Sequence, residues 1–319
     1  AETALRDLYT REWEWRQAEF VREKVDGRWQ GSDRLPSVTP EAWARRADYW
    51  KAALDALDAI PLDQLGREER INAAVFRTSI EASEASARWR TYEAPFNSDS
   101  FFWGGINPRQ PFQTEADWRR FIGRLSDVPR YFDEQIANME AGLARGWSVP
   151  RATLEGRDKT LDSYVLTGET NPLLVTFDRI PNTIPEPVRT QLREEGRRVV
   201  LEQTIPAYAK LLTFIRGEYL PRTRTTIAAS DLPDGRAFYQ TQIREYVTRD
   251  MSAREIHDFG LAEVERISAE MREVMGRAGF EGDLPAFIEY LRTDPKFYAK
   301  TPRELLGEAS LIAKKIDGQ

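Results

Sequence analysis

The run from Ser252 to Gly279 constrains the fold most, because its pattern fits one secondary structure. Ser252 is followed three residues later by Glu255. In this S-x-x-E box the serine oxygen accepts an orphan backbone N–H and the glutamate reaches back to the cap. Ile256, Phe259, Val264, Ile267, Met271 and Val274 then recur near helical spacing. Gly276 and Gly279 supply stop signals. A helix from Ala253 to about Met275 follows. Gly260 inside it costs about 1 kcal/mol relative to alanine, which points to close packing at that position. The run also holds the only histidine of the chain, His257.

The same grammar recurs along the chain and predicts a mainly α protein, a multi-helix array with at most a few short strands. Thr3 to about Lys24 is amphipathic and aromatic-rich, and a loop GRWQGSDRLPSV follows. Thr39-Pro40-Glu41 opens a second helix, with a cap and a proline at the first helical position, running to about Ala59. A third spans Arg67 to about Tyr92. Thr114 to Asp117 caps the next, and another runs from about Asp127 to Arg145. Residues 146–187 form a less regular, proline-rich insert in which SYVLTG and LLVTF read as short extended pieces. A long helix from Val188 to about Glu218 is expected to kink at Pro206. TRTTIAASDLP reads as a turn or short strand. Gly235 to Arg249, Leu284 to Leu291 and Pro302 to Ile316 are further helices, the last with a Thr301–Glu304 capping box. With no repeat or linker, residues 1–319 read as one helical domain.

The segment APFNSDSFFWGGINPRQPFQ breaks this pattern. A loop that long inside a compact domain is often functional. The other reading is a crossover whose Phe101, Phe102 and Trp103 tuck into the core. Trp103 and Trp147, in or beside loops, are the tryptophans best placed for a cleft wall. Most of the nine tryptophans read as helix-packing residues.

Composition excludes several classes. With no cysteine there are no disulfides, thiol nucleophiles or Cys-based zinc sites. The net charge of −6 with mixed signs marks no nucleic-acid surface, and no apolar run is long enough for a membrane span. HExxH, GxSxG, Walker A and GxGxxG are all absent. The opening AETALRDLY has no initiator Met and no apolar core, which fits a product cut after a signal peptide. That reading gives a periplasmic or cell-envelope location, with a cytoplasmic chain as the alternative.

His257 has Leu261 as its i+4 neighbour, at the edge of the apolar face. It reads as a core-edge histidine, as a residue lining a substrate cleft, or as a metal ligand. The last would need several carboxylates, whereas zinc sites are built mainly from His and Cys.

The chain as a whole resembles the N-terminal half of a bacterial family known as domain of unknown function 885. The landmarks are RLPSVTPEAWARR, QPFQTEADWRRFIGRL, GLARGWSVPR, IPAYAKLLTFIRGEYLP and LPDGRAFYQTQIREY. Most specific is REIHDFGLAEVERISAEM, where Glu255, Ile256, His257, Gly260, Leu261, Glu263, Val264, Arg266 and Ile267 match the family pattern. The usual Thr-rich run before that box stands here as Tyr246-Val247-Thr248-Arg249. The resemblance implies one half of a clam-like zinc metallopeptidase fold of the HExxH kind. Zinc-activated water would attack an amide with a glutamate as base, all supplied by a second half. It implies that LIAKKIDGQ falls near the linker to that half. No catalytic or metal residue is therefore expected in this chain, and zinc is expected only in a longer parent. The expected partners are that catalytic half and a peptide-like or acylated amino-acid substrate, with homodimerisation through an exposed cleft face. His257, Tyr239 and Tyr246 are the expected cleft-facing residues, with Trp103 and Phe102 behind them. The rivals are a self-contained helical binding module and a carboxylate-plus-His257 metal site.

Overall fold

A computed structural model describes residues 1–25, 27–107 and 112–318. Contacts group the chain into two compact units, 1–249 and 250–319, where the sequence reads as one domain. In order, the first unit contains α1 (Glu2–Glu19), strands β1 (Arg22–Val25) and β2 (Arg28–Gly31), α2 (Pro40–Asp58), α3 (Arg67–Arg88) and α4 (Glu115–Ala144). There follow α5 (Pro172–Thr176), α6 (Glu186–Val199), α7 (Ile205–Phe214), the short α8 (Leu220–Arg222) and α9 (Gly235–Val247). The second unit contains α10 (Ala253–Arg277), α11 (Leu284–Thr293) and α12 (Pro302–Asp317). The protein is mainly α, as its periodicity predicts.

Caps set the helix starts. Thr39 accepts the Ala42 N–H at 3.3 Å at the head of α2, and Thr114 and Asp117 form a complete capping box on α4. At α12 only half of the expected box forms. Thr301 takes the Glu304 N–H, but the Glu304 carboxylate accepts from the Lys300 N–H instead.

Several boundaries differ from the sequence reading. α1 stops at Glu19, because the chain turns into an antiparallel hairpin pairing Arg22 with Gly31 and Val25 with Arg28. Its sequence signal, the Asp26-Gly27 pair between two short runs, is a strong hairpin mark, and Gly27 adopts φ +77°. The two helices expected between Thr114 and Arg145 are one, with Pro129 inside it. A proline removes the N–H that would bond the carbonyl four residues earlier, here that of Leu125. The Thr204 hydroxyl donates to that carbonyl at 3.0 Å from a neighbouring element. Tertiary structure thus supplies the missing donor and the helix continues.

The expected kink at Pro206 is absorbed differently. Residues 200–204 and 215–219 form π turns, immediately before the helical turns carrying Pro206 and Pro221. Each π turn contains the residue four before the proline, whose carbonyl the ring would meet. Widening the helix there relieves the clash without ending it. In the insert, SYVLTG and LLVTF form no strand. Arg157–Val165 is 3₁₀ helix, and LLVT lies in α5. Buried Asn171 fixes this stretch by donating to the Tyr164 and Leu166 carbonyls and accepting from the Leu173 N–H. TRTTIAASDLP contains a 3₁₀ turn at Ala229–Asp231 rather than a strand.

α4 organises the first unit. One face buries Trp118, Phe121, Leu125, Phe132 and Met139 into the main core, against Phe177 and Tyr208 among others. A second face carries Asp127, Arg130, Glu134 and Asn138, three or four residues apart. Asp127 accepts the Leu35 N–H at 2.8 Å, and Glu134 accepts the Val38 N–H at 2.8 Å. Arg130 and Asn138 donate to the carbonyls of Leu35 and Val38 at 2.7 and 2.6 Å. This polar ladder holds the segment after the hairpin against α4. Leu5, Leu8, Leu57 and Ile60 form a separate small core joining α1 and α2.

Candidate functional surface

α9 carries two of the expected site residues. It can start where it does because residue 235 is glycine: a Cβ there would lie 1.9 Å from the Ala229 carbonyl oxygen. The helix is moored by Phe238, whose ring packs at 4.9 Å from Trp147 and 5.7 Å from Trp89. Thr241 adds a hydrogen bond from the Trp89 indole at 3.1 Å. Tyr239 and Tyr246 lie seven residues apart, hence on one face and about 10 Å apart along the axis. They are 48% and 80% exposed. α9 ends at Thr248 with φ +57°, a left-handed conformation that is unusual for a β-branched residue.

Trp103 and Phe102 stand elsewhere. Trp103 is 1% exposed, donates its indole N–H to Thr160 at 3.2 Å, and offers its carbonyl to the buried Tyr208 hydroxyl at 2.9 Å. Phe102 is half-buried and packs edge-on against Trp103, Tyr131 and Phe132. Of the two readings of this loop, the core-packing crossover is the one observed. As cleft-wall residues Trp103 and also Trp147, which is buried, are corrected: aromatic area this large was more stable inside. Residues 108–111 of the same loop lie outside the described residues.

In the second unit, α10 begins on the full Ser252–Glu255 capping box. His257 is exposed on its first turns, not at a core edge. Gly260 was expected to permit close packing, yet a Cβ there would meet nothing within 4 Å. Arg254 and Asp258 pair at 3.0 Å on either side of His257 in sequence. Phe280, in the turn after α10, packs its ring against Phe287 and Tyr290 of α11. The helical stripe that predicted α10 is itself exposed: Val264 is 64% and Ile267 45% accessible, with Phe259, Met271 and Val274 alongside. α12 repeats the pattern with Leu305, Leu306, Ile312 and Ile316, the last 68% accessible. Among the described residues of their own unit, nothing covers these amphipathic faces.

Among the described residues, no three His, Asp or Glu side chains come together to hold a metal ion. An exposed His257 flanked by an Arg–Asp pair does not fit a zinc site. Among the described residues, no helix is long and apolar enough to cross a membrane.

Comparison with known families places the chain. Residues 23–319 match the family described as bacterial protein of unknown function, DUF885. The chain belongs to that family. A crystal structure of a protein from Colwellia psychrerythraea, described as a lipoprotein, shares the fold with a TM-score of 0.73 at 20% identity. The match covers 99% of this chain and 57% of that one, so the chain spans a little over half of that relative. No curated protein matches.

Proposed function

We propose that this DUF885 chain is the substrate-side part of a zinc metallopeptidase-like hydrolase acting on peptides or acylated amino acids. Metal and catalytic groups would come from a further part of the same protein. The observation that carries this reading is the pair of uncovered apolar faces on α10 and α12. Solvent-facing side chains of that size are typical of surfaces that meet another protein layer. A further layer of the same protein is the occupant this reading assigns. That the Colwellia structure is matched over only part of its length is in keeping with such a layer. In this reading Tyr239 and Tyr246 contribute rings with a hydrogen-bonding tip to substrate, and His257 lies on the substrate side rather than on the metal. The lipoprotein description of the Colwellia relative supports an envelope location.

The rival is a self-contained helical binding module, favoured by the closed main core of residues 1–249. The test uses the longest product of the same gene. His257→Ala there is expected to raise KM for a peptide substrate severalfold while zinc content stays unchanged. Loss of zinc would make His257 a ligand and overturn its assignment, and no peptide hydrolysis by the unmodified product would favour the binding module.

A further inference from the structure

Gly260 lies in the second full turn of α10, where a glycine costs about 1 kcal/mol relative to alanine. Two local needs could call for it, a left-handed backbone or the close approach of another chain segment. Its φ is not positive, so the first does not apply. The second is not met within this chain: among the described residues, no atom lies within 4 Å of a Cβ placed there.

The place of Gly260 on the helix supplies a reason. Gly260, Val264, Ile267, Met271 and Val274 follow at intervals of four, three, four and three. Alternating steps of three and four keep residues on one line of a helix, and an apolar line of this kind is the seam along which two helices pack. The four large side chains of the line are all exposed. The line runs about 21 Å, at 1.5 Å per residue. A strand presents side chains at intervals of two and would not match it. Around Gly260 itself, Phe259, Leu261 and Val264 are exposed apolar neighbours. The glycine is therefore the floor of a dip with an apolar rim. Helix axes pack 8–10 Å apart depending on the side chains between them, and a glycine in the seam permits the near end of that range.

We propose that a helix from the further part of the same protein lies along this seam and comes closest to α10 at Gly260. The proposal rests on the covering layer of the reading above, and adds that layer's form and its point of closest contact. The Colwellia relative has chain beyond the matched part from which such a helix can come. His257, one turn before Gly260, stays at the open end of the seam, in keeping with a substrate-side role.

Hydrogen exchange of the α10 amides tests it, in this chain and in the longest product of the same gene. Gly260→Leu is the informative variant, because its effect should change sign. In this chain leucine replaces a poor helix former over empty space, and protection is expected to rise about twofold to fivefold. In the long product the leucine would enter the space of the second helix, and protection is expected to fall about tenfold or more. Should the leucine variant of the long product fail to fold, Gly260→Ala is expected to show the same reversal on a smaller scale. Val264→Asp reads the covering layer itself, and is expected to lower protection about tenfold or more in the long product and little in this chain. A rise with Gly260→Leu in both proteins, while Val264→Asp still lowers protection in the long product, would overturn the proposal and leave the covering layer standing. No effect of Val264→Asp in the long product would overturn both. Protection in this chain that grows with protein concentration would assign the seam to a second copy and overturn the proposal as well.

Discussion

The Pro129 site offers a quantitative test of how the first unit is built. Pro129 lies within α4, so the Leu125 carbonyl has no helical donor, and the buried Thr204 hydroxyl serves it at 3.0 Å. Thr204→Val keeps the shape and removes the donor. The carbonyl is then left unpaired in a dry site, which costs about 1–3 kcal/mol. In a Pro129→Ala background the alanine N–H can bond Leu125 itself. There Thr204→Val is expected to cost less than about 0.5 kcal/mol, so the coupling between the two sites is about 1–2 kcal/mol. Urea unfolding followed by tryptophan emission measures all four proteins. All nine tryptophans lie between residues 13 and 147, so the signal reports the first unit alone. Additive effects of the two substitutions would refute the reasoning.

Four further outcomes are expected. Burial alone would push the Asp127 carboxyl up, but the Arg130 hydrogen bond and the Leu35 N–H hold it below the ordinary Asp range. A depressed folded-state pKa gives stability that is present above the unfolded value of about 3.9 and is lost as pH falls through the lower folded value. Asp127→Asn should therefore cost about 3 kcal/mol at neutral pH and flatten the acid limb of a stability profile below about pH 4; an unchanged limb would contradict this. Gly196→Ala, whose Cβ would lie 2.0 Å from the Phe177 ring, should destabilise by about 1–3 kcal/mol in urea unfolding. Gly260→Ala meets nothing and should stabilise α10 by about 0.5–1 kcal/mol, read by hydrogen exchange, unless a further layer packs there. Finally, Val264→Asp should change the stability of this chain by no more than about 0.5 kcal/mol. In the longest gene product it should cost about 3 kcal/mol or more. Roughly 1–2 kcal/mol of that would be the apolar area still exposed here, the rest a buried charge. Equal effects in both proteins would refute a covering layer.

Helix identity was legible because it is local. Caps at Thr39, Thr114 and Ser252 mark the first residues of their helices, Pro40, Glu115 and Ala253. What depends on distant partners was not. Nothing near Pro129 signals that Thr204 will supply its missing bond. Nothing near Pro206 says whether the chain will kink or widen into a π turn. The hairpin at Gly27 was legible in its turn pair, yet polar strands this short carry no alternation to support it. At the site, the tyrosines of α9 follow from helical spacing. Exposure of His257 does not, because an amphipathic stripe reads the same whether its apolar face is covered or bare.

The central claim is that this chain supplies one side of a hydrolase whose metal lies elsewhere in the protein. Zinc content and peptidase activity, measured together on this chain and on the longest product of the same gene, test it most directly. The account predicts one zinc and peptide cleavage for the long product, and neither for this chain. Stoichiometric zinc or hydrolysis by this chain alone would contradict it and would put a carboxylate site around His257 in its place.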